Sequence, residues 1–181
     1  GLPDLVAAMT VTRLCASSLE AIAIGCAKVR LGEASLVLAG GTESMSRIPL
    51  GGANPSPNPA WAARRPEIYM TMGETAERVA RRYGVARADQ DAWALRSHQR
   101  AADARRRGVL AEEIVPVTLA AGAIAEDDGI RPDTSLEKLA ALRPAFADDG
   151  SVTAGNACPT SDGAAALLIA SSAAVERHGL R

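Results

Sequence analysis

The sequence predicts an α/β fold, and three observations predict it. Residues 11 to 45, VTRLCASSLEAIAIGCAKVRLGEASLVLAGGTESM, read in succession as strand, turn, apolar helix and strand. A second apolar run, Ala164 to Ala170, is followed by a helical pattern from Ser172 to His178. The core material is small and aliphatic: 48% of the 181 residues are hydrophobic but only 3% are aromatic, which suits thin helix-on-sheet layers. A strand–helix–strand unit of this kind predicts parallel strands, a right-handed crossover and a sheet covered on both faces.

The elements follow in order. Residues 1 to 12 supply a strand that ends at a turn bearing Cys15, after a loop at Pro3-Asp4. A nearly all-apolar helix starts at Ser17, with Leu19, Ile22, Cys26 and Val29 at helical spacing. Ser17-Ser18-Leu19-Glu20 fits a capping box, Lys28 and Arg30 complement the carboxyl end, and Gly32 is the stop. Ser35 to Ala39 is a buried strand running into Gly40-Gly41. From Arg47 the chain turns rich in Pro, Gly and Asn, and RIPLGGANPSPNPAWAARRPE reads as a long loop. A helix begins at Met72-Gly73-Glu74 and ends near Tyr83-Gly84. A second spans Ala88 to Arg107, opened by Asp89, Gln90 and Asp91, closed by Gly108, with Trp93, Leu95 and Ala101 as its apolar points. Ile114 to Val117 is a short strand confined by Pro116 to an edge or an end. Residues 121 to 150 are loop-rich, with a short helix from Ser135 to Ala141 capped by Asp133-Thr134 and ended by Pro144. Thr153 to Cys158 is a loop before the last strand and helix.

Composition excludes several classes. A net charge of -1 gives no electrostatic case for nucleic acid or an anionic membrane. The arginine groups 81–82 and 105–107 read as solvated helix faces. No apolar run approaches the roughly 20 residues that span a bilayer. The three cysteines, at 15, 26 and 158, lack metal-ligand spacing and point to reduced thiols in a cytoplasmic setting. His98 and His178 each stand alone among polar neighbours and receive no catalytic role. Two readings of Cys15 stand open on these residues. A helix amino terminus lowers a thiol's pKa, and the free N–H groups of the first turn point the same way, which suits a nucleophile. A small apolar core residue is the other.

VTRLCASSLEA followed by GGTESMS resembles the nucleophile segment of the thiolases, V-N-x-x-C-x-S-G-x-x-A and then G-G-x-E-x-M-S. The Met-Gly-x-Thr-Ala-Glu wording from Met72, the EEIVPV ending, and TAGNAC before Asp162-Gly163-Ala164 are similar to later segments of the same family. The resemblance covers essentially the whole chain. It implies a thiolase-like layered fold, with residues 1–47 and 159–181 as part of the N-terminal α/β half and residues 48–158 as an inserted loop domain. It implies that Cys15 accepts the acyl group, that Met72 contacts the pantetheine arm of CoA, and that Arg131 approaches the CoA nucleotide. Cys158 stands where the family has a serine that hydrogen-bonds the pantetheine amide. Thr12 and Ser18 are further departures, replacing Asn and Gly.

The implied activity is cleavage of 3-ketoacyl-CoA by CoA into acyl-CoA and acetyl-CoA through an acyl-cysteine, as in fatty-acid β-oxidation. Thr71, where biosynthetic relatives often carry His, leans toward that direction. A biosynthetic acetoacetyl-CoA thiolase and a non-catalytic acyl-CoA or lipid binder are the alternatives. The implied partners are acyl-CoA, CoA and further copies of the protein, as a homodimer or homotetramer, with no nucleic acid and no membrane. No cofactor or metal is expected, CoA being a substrate. Gly-His-Pro, Asn-Glu-Ala-Phe and Cys-x-Gly-Gly-Gly segments do not occur in these residues. The chain is therefore expected to be a fragment, lacking the family's first strands and C-terminal half, and inactive alone.

Overall fold

The computed structural model describes residues 2–120 and 122–180. Gly1, Ala121 and Arg181, which the sequence reading assigns to the first strand, to the 121–150 loop and to the last segment, lie outside the described residues. In chain order the elements are α1 (Ser17–Arg30), β1 (Leu36–Ser44), α2 (Pro59–Arg64), a 3₁₀ turn (Pro66–Tyr69), α3 (Met72–Tyr83), α4 (Arg87–Arg106), β2 (Val117–Leu119), β3 (Gly122–Ile124), α5 (Leu136–Ala140), β4 (Asp162–Ala170) and α6 (Ser172–His178). They fall into two compact units. One holds the chain up to Asn54 together with Thr160 onward, and the other holds Pro55–Pro159.

In the first unit β1 and β4 form an antiparallel pair, registered from Leu36 opposite Ala170 to Ser44 opposite Asp162. This corrects the expected parallel arrangement. The reason lies upstream: residues 2–10 form no strand and are exposed, so no parallel neighbour carries the thiol segment among the described residues. The expected cover on both faces is also absent there, since Leu38, Leu167 and Leu168 are each more than half exposed. β1 does not stop at Gly40-Gly41 but runs on to Ser44. Gly40 permits this, because a Cβ there would strike the Ala165 carbonyl of the paired strand. α1 lies against this pair through Gly25, whose missing Cβ leaves room for Ile169 and Val37. Gly25 is the helix's buried residue, so the nearly all-apolar helix read from the sequence is only half-buried among the described residues. The N–H of Ser171 donates to the Ser35 carbonyl at 2.9 Å, joining the strand ends, and Ala174 of α6 is buried.

In the second unit the expected long loop contains α2 and the 3₁₀ turn. Asn58 accepts from the N–H groups of Ala60 and Trp61, and Pro59 occupies the first helical turn. α3 carries a complete capping box: Thr71 accepts from Glu74 N–H, and the Glu74 carboxylate accepts from Thr71 N–H at 2.7 Å. α4 runs against α5, and Ala80, Ala94, Leu139 and Val152 make the apolar core. Trp93 is exposed rather than an apolar anchor of α4. The strand expected at Ile114–Val117 is corrected to Val117–Leu119, paired with β3; it begins just after Pro116, which has no N–H for a ladder. α5 is capped by Ser135, which accepts from Lys138 N–H at 3.2 Å, and not by Asp133-Thr134. Asp133 is instead bound to the Lys138 ammonium.

Candidate active site

Cys15 stands two residues before α1, exposed and in the free thiol form. It sits on a tight turn. Ala16 N–H donates to the Arg13 carbonyl and Ser17 N–H to the Leu14 carbonyl, both at 3.0 Å. These two amides, read from the sequence as free donors beside the thiol, are thus already committed. The expected capping box is absent as well. Ser17 Oγ accepts from Arg13 N–H at 2.8 Å and donates to the Leu14 carbonyl at 2.7 Å, while Glu20 pairs with the Arg13 guanidinium. The turn forces Leu14 to φ 50°, a left-handed conformation that costs a non-glycine residue about 1–2 kcal/mol. The Ser17 bonds on both sides of Leu14 offset that cost and fix where the next residue emerges. Ser18 lies against Gly41 of β1, where a Cβ would collide with its hydroxyl. The departure at Ser18 is therefore accommodated against the strand.

The other three candidates belong to the second unit. Met72 is the first residue of α3, with its side chain 65% exposed. The neighbouring Gly73 is covered by the Phe146 ring, which leaves no room for a Cβ. Arg131 is exposed. Its guanidinium donates to the Asp128 carbonyl at 2.5 Å, and its backbone N–H donates to His98 Nδ1 at 3.1 Å. His98, read from the sequence as standing alone among polar neighbours, is half-buried and bound to this loop. Cys158 is exposed and a free thiol. Its segment comes close to the Arg131 loop: a Cβ on Gly129 would touch the Pro159 ring at 3.7 Å. No hydrogen bond joins Met72, Arg131 and Cys158 to one another among the described residues.

The loop from Ser151 to Cys158 is held by residues the sequence reading left without a role. Glu77, 3% exposed, accepts from the N–H groups of Ser151 and Val152 and from the Ser151 hydroxyl. Burial pushes its carboxyl up, but those donors and the Arg81 charge outweigh burial and leave it below the ordinary range. Asn156 Oδ1 accepts from Thr153 N–H at 2.7 Å, and its amide donates to Asp91 and to the Ser151 carbonyl, both at 3.0 Å. Asp91 is buried and paired with Arg87 at 2.8 Å, and Arg87 also donates to the carbonyls of Leu139 and Leu142 at the end of α5. The sequence signal for Asp91 was absorbed by its place near a helix start. Glu77 carried none beyond its motif. No group of His, Cys, Asp and Glu among the described residues is arranged to hold a metal ion.

The family model described as "Thiolase, N-terminal domain" matches residues 1–173. The chain belongs to the thiolase family. It is 49% identical over 182 residues to the 3-ketoacyl-CoA thiolase of Bacillus subtilis (strain 168), covering 93% of this chain and 46% of that protein. It is 44% identical over 201 residues to the beta-ketoadipyl-CoA thiolase of Pseudomonas knackmussii, covering 100% of this chain and 50% of that one. The fold matches the dimeric peroxisomal thiolase of Saccharomyces cerevisiae with a TM-score of 0.85 and 34% identity, over 94% of this chain and 45% of that one. Human mitochondrial 3-ketoacyl-CoA thiolase in complex with CoA matches with a TM-score of 0.84 and 36% identity, over 99% and 48%. This thiolase chain thus spans about half the length of the curated relatives it matches.

Proposed function

We propose that the whole protein is a thiolase that transfers an acyl group from a 3-ketoacyl-CoA to CoA, with Cys15 as the acyl acceptor. The observation that carries the reading is an exposed thiol on a fixed turn ahead of α1, within the stretch that matches the thiolase model. In the forward reaction the Cys15 thiolate adds to the C3 carbonyl, forming a C–S bond and a tetrahedral oxyanion. Collapse of the oxyanion breaks the C2–C3 bond, and the departing enolate takes a proton and leaves as acetyl-CoA. The CoA thiolate then attacks the acyl-cysteine, releasing acyl-CoA and regenerating the Cys15 thiolate. The oxyanions call for N–H donors, and the backbone N–H of Cys15 is our candidate for one set. The proton transfers are assigned to the part of the whole protein beyond the matched half, because His98 is engaged with Arg131 and His178 closes α6.

In this reading Met72 lies along pantetheine, Arg131 meets the nucleotide phosphates and Cys158 faces the pantetheine amide. A guanidinium gives phosphate paired, charge-assisted hydrogen bonds. A thiol is a weaker donor than a hydroxyl, so Cys158 supplies a weaker contact than serine would. The protein is further inferred to act as a homodimer, as the yeast relative is described. Sedimentation of the whole protein as a monomer at micromolar concentration would count against it.

The test is thiolysis by the whole protein, followed by loss of the 3-ketoacyl thioester, with Cys15→Ser as control. Removing the nucleophile should lower kcat by roughly 10⁴-fold or more. Acetoacetyl-CoA, a longer unbranched 3-ketoacyl-CoA and 3-oxoadipyl-CoA form the substrate arms. The last is included because several relatives near 44% identity are named for beta-ketoadipyl-CoA. CoA binding with no acylation of Cys15 from any thioester would replace the enzyme with a binding protein.

A further inference from the structure

His98 holds the loop that carries Arg131. The loop is exposed from Glu126 to Asp128 and again at Arg131, so its own burial does little to fix it. Three ties bind it to α4. Arg105 pairs with Glu126 at 3.6 Å, Arg105 reaches the Asp127 carbonyl at 3.5 Å, and His98 Nδ1 accepts the Arg131 N–H at 3.1 Å. The first two are long and lie at the near end of the loop. The third is at Arg131 itself. With Nδ1 as the acceptor, the ring nitrogen left to carry an N–H is Nε2.

We propose that His98 is a positioning residue for CoA: by accepting the Arg131 amide it pre-sets the backbone from which the guanidinium reaches the nucleotide phosphates. The inference rests on the reading of Arg131 as the nucleotide-binding cation. An arginine on an untethered loop must lose backbone and side-chain freedom when ligand arrives, and that ordering cost is subtracted from affinity. A tether at the arginine's own N–H removes part of the cost before binding. The guanidinium bond to the Asp128 carbonyl holds the side chain back over the same turn, ready to exchange a carbonyl for a phosphate.

The experiment measures calorimetric Kd values for CoA and for pantetheine, which lacks the nucleotide, with the whole protein and its variants. His98→Asn keeps an acceptor at the Nδ1 position, whereas His98→Gln moves it to the Nε2 position. His98→Gln and His98→Ala should weaken CoA roughly five- to tenfold, the worth of one hydrogen bond, and leave pantetheine unchanged. His98→Asn should restore CoA affinity to within about twofold. If His98→Ala does not fold, the contrast between the Gln and Asn variants carries the test. A wild-type preference for CoA over pantetheine that survives in His98→Gln overturns the positioning role alone. Equal weakening of both ligands also overturns it, as the mark of a general structural defect. A wild-type protein that binds both ligands equally overturns the Arg131 reading and the inference with it.

Discussion

Glu77 ties α3 to the Ser151–Cys158 loop through a carboxylate that sees almost no solvent. Replacing it with glutamine turns one acceptor oxygen into a donor that faces other donors, so Glu77→Gln should destabilise the second unit by about 2–3 kcal/mol in urea unfolding. The pH dependence has a definite sign. The folded carboxyl lies below its ordinary value of 4.5, so its contribution is fully present above that value and is lost as pH falls through the folded one. Wild type should therefore lose stability on acidification through this range more steeply than Glu77→Gln; parallel curves would contradict the assignment. The thiols make a second case. Cys15 and Cys158 are exposed and Cys26 is half-buried on α1, so limiting iodoacetamide with peptide mapping should modify Cys26 last. The turn at Cys15 and the helix that follows it were legible because their signals lie within a few residues of one another. The anchoring role of Glu77 was not, since its partner Ser151 lies 74 positions away and nothing in the sequence between them announces the pairing.

At the scale of elements, contact between α1 and the strand pair depends on what Gly25 omits. Alanine is the better helix former by about 1 kcal/mol, which alone would favour Gly25→Ala. A Cβ there would lie 2.8 Å from Ile169 Cδ1 and 3.2 Å from Val37 Cγ1, and overpacking of this kind costs about 1–3 kcal/mol. The steric term wins, and Gly25→Ala should lower the denaturation midpoint, with Ile169→Val in the same chain recovering part of the loss. α4 was read to within a residue at each end, because acidic residues mark its start and Gly108 its stop. α2 was missed because Asn58-Pro59 reads as a breaker, although the same pair serves as cap and first turn. The direction of β1 against β4 was illegible for a different reason. Alternation along a strand is the same in parallel and antiparallel pairs, and the partner's direction is set by strands distant in sequence.

On the whole molecule, the sequence resemblance reached the family and the composition shift at Arg47 flagged the start of a long intervening segment. The structure closes the first unit later, at Asn54, because the short turn after β1 and the following residues remain with the strands. The antiparallel pair has a consequence for the order in which the chain folds. Ser46 and Asp162, bonded at the end of that pair, are 116 positions apart, so a random search for the register carries a large loop-closure entropy. The second unit is contiguous in sequence and has its own core, and once formed it replaces most of that loop with a compact body. Refolding followed by pulsed hydrogen exchange should therefore protect amides of α3 and α4 before those of β1 and β4. Simultaneous protection of both sets, or earlier protection of the strands, would mean that strand pairing does not wait for the intervening body.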